Sequence, residues 1–397
     1  MVEVKIFPAG YGDCFLISIH NSNKSFNILI DGGLGETYKN SLKKELKILS
    51  KNGDKINLLI NTHIDSDHIN GLIAFLRDNN KNKYIEIDEI WYNGLEQIAK
   101  AYTISEKTID SDNKIIDRIC EKGHEDEFKE IEDASAVGGI SLSSLIEFGK
   151  YTHNKVAGGK AIIDELPIVK FSEHIKIRII SPSMNELNAL EEEWAEELAK
   201  ENYKFTVPKC MKLVSTFEFL VSRLKNYYES YRKNTSCSDE LENYLSDLED
   251  VDNSVVNGSS ISFVLEVYDK KLLFLGDSIV KTKDKCHITK NLLREYGENT
   301  KFNLIKLPHH GSRYNISNDF LTMFKSDEYI VSTNSEKFGH PDIDVLANFI
   351  YRNQDDKNII FNYPVEQYKI LNNEKWMKDY KYSIVVGNGQ NYVERKY

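Results

Sequence analysis

The chain has no Cys-x-x-Cys pair. Its five cysteines, Cys14, Cys120, Cys210, Cys237 and Cys286, are odd in number and widely spread, which argues against a disulfide framework or a zinc knuckle. The N-terminus has no basic region followed by a sustained apolar segment, and no later run is long enough to span a bilayer. The expectation is a cytoplasmic protein that makes no membrane contact. An excess of positive charge is also missing. The formal net charge is −11, so any nucleic-acid contact must come from a local basic groove, which counts against an avid, nonspecific duplex binder. What the chain does have is 397 residues, 41% of them hydrophobic, enough to bury a large core.

The most informative stretch is residues 58–72. Leu58, Leu59 and Ile60 form a short apolar run typical of a strand buried on both faces, and Ile69, Leu72, Ile73 and Leu76 then recur at helical spacing. Between them lie His63, Asp65, Asp67 and His68, at the end of a buried strand and the start of a helix, where sites on α/β sheets usually lie. Imidazoles and carboxylates suit zinc, manganese or iron. Strand-like alternation sends His63, Asp65 and Asp67 one way, while adjacent His68 can reach a second ion. The plainer alternative is a solvated loop in which Asp67 caps the helix. Two histidines and two aspartates within six positions favour ligation.

Taken in order, residues 2–7 and 14–20 read as strands around the glycine-containing turn 8–13, and 26–30 as a third strand ending at Asp31-Gly32-Gly33. A helix over 42–49, the central strand, a helix over 69–77 and a strand over 85–92 follow, which implies a layered α/β architecture. Residues 101–165 read as a polar insertion; its histidines, His124 and His153, sit in no cluster. After a core strand within 166–183, residues 184–254 read as a helical insertion. Its first helix is acidic, with Leu187, Leu190, Trp194 and Leu198 on one face. Its second carries Leu213, Phe217, Leu220, Leu224, Tyr228 and Tyr231 beside Arg223, Lys225, Arg232 and Lys233. That stripe suits a helical-hairpin core better than base stacking. The acidic stretch 236–254 reads as a mobile connection. Strands return over 261–268, 271–275, 302–307 and 329–332, with further ones at 359–361 and 383–386. Three of them end in chemically capable residues: Asp277, His309-His310 and His340. Residues 1–100 and 255–397 thus form the two halves of one core.

The 63–68 loop resembles the His-x-His/Asp-x-Asp-His signature of the metallo-β-lactamase fold, a superfamily of metal-dependent hydrolases. The combination with a hairpin ending in Leu-Gly-Asp277, then Lys306-Leu-Pro-His-His-Gly-Ser312 and Gly-His340-Pro, resembles the cytoplasmic hydrolase domain of bacterial competence DNA-uptake channels. The resemblance covers roughly residues 2–90 and 175–350. The expectation is a stand-alone relative, without the channel that accompanies that domain. It implies an αββα metallo-β-lactamase sandwich with helical insertions, and one or two divalent metal ions, zinc or manganese. The implied ligands are His63, Asp65, Asp67, His68, Asp277, His309 and His310, with Asp277 bridging, Asp31 buttressing the loop, and the choice between His309 and His310 open. The superfamily's usual histidine before the hairpin is missing, and Asn257-Gly258-Ser259-Ser260 stands there. One ion would then take Asp67, His68, Asp277 and one late histidine, leaving the other only His63, Asp65 and Asp277. The poorer site should favour a harder ion such as manganese.

The resemblance points to a nuclease, a phosphodiesterase acting on DNA through a metal-activated water, with nucleic acid or a nucleotide as substrate. Asp67 is expected to orient the water. Lys306, Ser312 and Arg313 are expected to contact the substrate phosphate, and His340 to assist catalysis from its extended position before Pro341. One alternative is hydrolysis of small or cyclic nucleotides, which the acidic net charge favours. Another is a sensor or adaptor that engages a protein partner through the helical insertions in a multi-protein defence system. β-Lactam hydrolysis fits least.

Overall fold

The computed structural model describes residues 1–21, 25–98, 110–122, 140–200, 211–222, 224, 238–281 and 286–397. His124, Tyr228, Tyr231, Arg223, Lys225, Arg232 and Lys233 lie outside the described residues. Two sheets face each other. The first has the order β14-β1-β2-β3-β4-β5, where β1 is Val2–Ile6, β2 Phe15–His20, β3 Ser25–Ile30, β4 Leu58–Ile60, β5 Ile90–Trp91 and β14 Val393–Lys396. The second runs β13 to β6 in reverse sequence order. Its strands are β6 Val169–Lys170, β7 Ile175–Ser181, β8 Ser262–Val267, β9 Lys270–Phe274, β10 Lys301–Lys306, β11 Lys325–Val331, β12 Lys357–Phe361 and β13 Tyr382–Val386.

Strand periodicity divides the side chains among three cores. Leu58 and Ile60 on β4, Phe263 and Leu265 on β8, and Ile330 on β11 meet between the sheets. Leu59, one position out of phase, packs outward with Leu72, Leu76 and other helical residues. Val264, Tyr329 and Val331 do the same for helices outside the second sheet. This is an αββα sandwich. Among the described residues no helix is long and apolar enough to cross a membrane.

β3 and β4 are parallel neighbours, and so are β9, β10, β11 and β12. Their C-terminal ends therefore lie on common edges of the two sheets. Asp31 follows β3, the 63–68 loop follows β4, Asp277 follows β9, and His309-His310 follow β10. The site is assembled where parallel strands stop.

Several expectations need correction. The strand expected over 85–92 is only Ile90–Trp91, preceded by an isolated bridge between Ile56 and Ile87. The stretch 238–254 is not a loose connection: Leu241, Tyr244 and Leu248 are buried in the outer core of the second sheet, because its leucines and tyrosine recur between the acidic residues. The edge strand Val393–Lys396, which pairs antiparallel with β1, carries too few apolar residues to be read as a strand. The described part of the helical insertion packs chiefly against the segment expected as a separate polar insertion: Glu218 accepts from Leu142 N at 2.6 Å, and Ser215 Oγ meets Ser141 Oγ at 2.8 Å, while Glu218 also accepts from Tyr92 Oη at 3.0 Å. Trp194, on the helix Met184–Lys200, meets Phe217, on Met211–Val221, edge-to-face at 5.4 Å.

Candidate metal centre

Asp31 organises the first half of the centre. It is fully buried, sits at φ +52°, and accepts hydrogen bonds from Thr62 N at 2.7 Å, Thr62 Oγ1 at 2.7 Å and His68 Nδ1 at 2.9 Å. Thr62 Oγ1 is thereby committed as a donor to Asp31, so it accepts from His63 Nδ1 at 3.0 Å. One carboxylate thus orients both imidazoles with Nδ1 toward the protein and Nε2 toward the centre, the arrangement metal-ligating histidines require. Backbone contact delivers Asp31 to this position. Gly71 N donates to Gly33 O at 2.8 Å and Gly32 N to His68 O at 2.9 Å. A Cβ on Gly71 would lie 1.9 Å from Gly32 O, so only glycine lets the Asp-Gly turn dock on the helix Ser66–Asn82.

The second half uses a strained turn. β10 ends, Pro308 follows, and His309 and His310 stand at φ +44° and +57°, a backbone region that costs non-glycine residues ~1–3 kcal/mol each. The turn aims both rings at Asp277. His309 Nδ1 donates to Asn315 Oδ1 at 2.9 Å, and Asn315 Nδ2 donates to Asp252 Oδ2 at 2.9 Å and Asp277 O at 3.0 Å. Asn257 also donates to Asp252 Oδ2, at 2.6 Å. His310 Nδ1 instead faces Asp13 Oδ1 at 3.6 Å.

Four imidazoles converge on one oxygen. Asp277 Oδ2 lies 3.9 Å from His63 Nε2, 3.4 Å from His68 Nε2, 3.8 Å from His309 Nε2 and 3.4 Å from His310 Nε2. Asp67 Oδ2 lies 3.6 Å from His310 Nε2 and 3.9 Å from His68 Nε2. Two ligands ~2.1 Å from one ion at a tetrahedral angle are ~3.4 Å apart, so these spacings suit coordination. The Nε2 atoms of His63, His68 and His310 are buried and have no hydrogen-bond partner among the described residues.

The charge balance asks for a cation too. Asp13, Asp31, Asp67 and Asp277 are exposed by 1, 0, 3 and 2%, and among the described residues the one lysine in contact with them is Lys306. Burial and the neighbouring His68 push His63 down to about 3, which leaves it neutral. Burial opposes charge on His68, but Asp277 and Asp31 outweigh it and hold the imidazole well above its usual value. Burial and Asp67 push Asp65 up to about 7. Burial likewise opposes charge on His310, but Asp277 and Asp13 hold it above its usual value. Buried carboxylates are stable only with cationic partners, which Lys306 and the His68 and His310 imidazoles supply, and a bound divalent ion would take over that role from the imidazoles. Divalent ions fit this donor set.

The expected residues do not all fall in the cluster. Asp65 Oδ1 accepts from Ser66 N at 2.7 Å and caps the helix; Asp65, not Asp67, is the cap. Asp65 and His309 belong to none of the close His/Asp groups found among the described residues, whereas Asp67, His68 and His310 form one and His63, His68 and Asp277 another; His309 Nε2 nevertheless lies 3.8 Å from Asp277 Oδ2. Lys306 cannot reach out to a substrate. On its strand it shares the inward face with Leu304, so its ammonium is buried, bound to Asp13, to Gly276 O at 2.9 Å and near Asp277 Oδ1 at 3.5 Å. Arg313 turns toward Asp344 at 3.2 Å and Asp250 at 3.5 Å, and Ser312 is buried with Oγ accepting from Tyr314 N at 3.3 Å. His340 stands at the rim, its ring 5.1 Å from that of His309. Sequence reasoning missed Asp13, Thr62, Asp252 and Asn315. Asp13 follows Gly-Tyr-Gly, which reads as a turn, and only the fold brings it to Lys306.

The metallo-beta-lactamase superfamily model matches residues 8–143, a span holding Asp13, Asp31 and the whole 63–68 loop. The matched span is a metallo-beta-lactamase domain, and the two-sheet αββα fold agrees with it. No curated protein matches the chain. Superfamily members are mostly metallohydrolases that bind divalent metals, and the His/Asp groups here could hold a metal ion. In the metallo-β-lactamase sandwich the first sheet supplies the contiguous loop, and the second supplies Asp277, His309 and His310 from separate strand ends.

Proposed function

We propose that this chain is a metal-dependent phosphodiesterase, and a nuclease in preference to an enzyme of small nucleotides. The observation that carries the metal-dependent part is the convergence of four imidazoles on Asp277 Oδ2. His63, His309 and Asp277 would hold one ion. Asp67, His68, His310 and Asp277 would hold the other, so both late histidines take part. The sets remain unequal in charge, since Asp67 serves only the second, and manganese would suit the oxygen-rich set as well as zinc. Bound divalent ions supply Lewis acidity and lower the pKa of water toward ~7. The chain's residues do the rest: Asp67 orients the attacking water, His340 at the rim stands ready to protonate the leaving oxygen, and Lys306 holds Asp277 from behind. Support for a phosphodiester comes from the likeness of the Lys306–Ser312 and His340 motifs to the competence hydrolase domain. The net charge of −11 supports small nucleotides as the second reading.

The test is cleavage of labelled single-stranded DNA by the pure protein with added manganese or zinc, beside Asp277→Ala. Metal-dependent cleavage lost in the variant is the expected result. Bound metal with no cleavage of DNA but turnover of a cyclic dinucleotide would favour the second reading. Cleavage unchanged in Asp277→Ala would refute the assignment.

A further inference from the structure

Two loops meet at the rim of the centre, and together they carry groups that the metal chemistry does not use. The loop after β11, residues 332–340, is tied to the loop between β1 and β2. Asn334 N donates to Gly10 O at 2.8 Å, Ser332 Oγ to Gly12 O at 2.8 Å, and Gly10 N to Tyr363 Oη at 2.8 Å. Gln367 Nε2 holds Gly339 O at 3.0 Å. On this frame Tyr11 and Phe338 stand edge to face, ring centroids 6.1 Å apart at 90°. The exposed Lys337 puts its ammonium 4.7 Å from each centroid. Phe338 lies 6.3 Å from the His309 ring, and 6.1 Å from His340 at an interplanar angle of 27°. An aromatic pair with a cation therefore borders the carboxylate and histidine cluster.

We infer that Tyr11, Lys337 and Phe338 form a subsite for the base of an unpaired nucleotide whose phosphate lies toward Asp277. This rests on the phosphodiesterase reading and adds its substrate's form. Aromatic faces bind any base by stacking, an ammonium beside them adds charge for a phosphate oxygen, and neither demands a particular sequence. A base inside a duplex is already stacked and paired, so it cannot enter without being extruded. The acidic net charge gives no field to offset that cost. Single strands and small nucleotides share the required chemistry.

The test compares metal-loaded wild type with Phe338→Leu and Phe338→Trp on two esters with the same leaving group, thymidine 5′-(4-nitrophenyl) phosphate and methyl 4-nitrophenyl phosphate. Phe338→Leu is expected to raise KM for the nucleotide ester roughly 5- to 100-fold, the range for losing one stacked base. Because Phe338 also packs on His340, the reading is the ratio of the two esters' kcat/KM: it should shift against the nucleotide ester by that factor, and Phe338→Trp should restore it. An equal rise for both esters, or none for either, overturns the subsite while leaving the phosphodiesterase standing. Wild type that hydrolyses neither ester overturns both. As competitors, thymidylate oligonucleotides and thymidine 5′-monophosphate should inhibit, which of them binds tighter marking polymer or small nucleotide. A blunt duplex inhibiting as well as the single strand overturns the requirement for an unpaired base.

Discussion

His63 and His68 lie on one loop and share one anchor, whereas His309 and His310 are adjacent in sequence and share none. Asp31 accepts from His68 Nδ1 directly and from Thr62 Oγ1, which in turn holds His63 Nδ1. In the second half, Asn315 holds His309, and Asp13 faces His310 from across the sandwich. The first pair is set by a single buried carboxylate close in sequence. The second is set by a strained turn and two unrelated partners. One half of the centre should therefore fail as a unit, and the other in separable steps.

The largest effect should come from stripping both halves at once. Dialysis against a chelator is expected to lower hydrolysis by on the order of 10³-fold or more. It should also lower the melting temperature, since ligand at 100 times its Kd contributes ~2.7 kcal/mol. Calorimetry with and without restored metal checks both. Asp31→Ala comes next. It should weaken metal affinity ~10–100-fold at each histidine it orients, seen by competition with a chromophoric chelator as loss at both ions together. Asp13→Ala should weaken only the ion that His310 serves. It should also cost ~3–5 kcal/mol of stability, because Lys306 loses a buried counter-charge. Adding Lys306→Met should recover stability in urea titration and leave the affinity defect. Asn315→Ala, which frees one ring, should cost the least, ~10-fold at the ion His309 serves. Equal losses from Asp31→Ala and Asn315→Ala would erase the contrast between the halves.

The same contrast governs what could be read from sequence. The 58–72 stretch carries its own evidence, because an apolar strand, four ligand-type side chains and an amphipathic helix are contiguous. Asp31 and Asp277 were readable for a related reason, each closing an apolar run at a strand end. Asp13, Asp252 and Asn315 were not. Their partners are His310, Asn257 and His309, and only Asn257 and His309 lie within six residues of the group they meet. Lys306 was visible as a cation, but its inward face depended on which side of β10 met the other sheet. Phe338 and Lys337 lie in a turn without periodicity, and their meeting with Tyr11 is tertiary. The edge strand Val393–Lys396 is half charged, and pairing with β1 rather than its own pattern makes it a strand.

If Asp277 joins the two halves into one metal centre, its loss should strip both ions together. Elemental analysis of the purified chain beside Asp277→Ala, each confirmed folded by circular dichroism, tests it most directly. Up to two equivalents of zinc or manganese are expected in the wild type, with near-complete loss in the variant. A folded wild type that takes up no divalent metal, or a variant that retains the full complement, would contradict it.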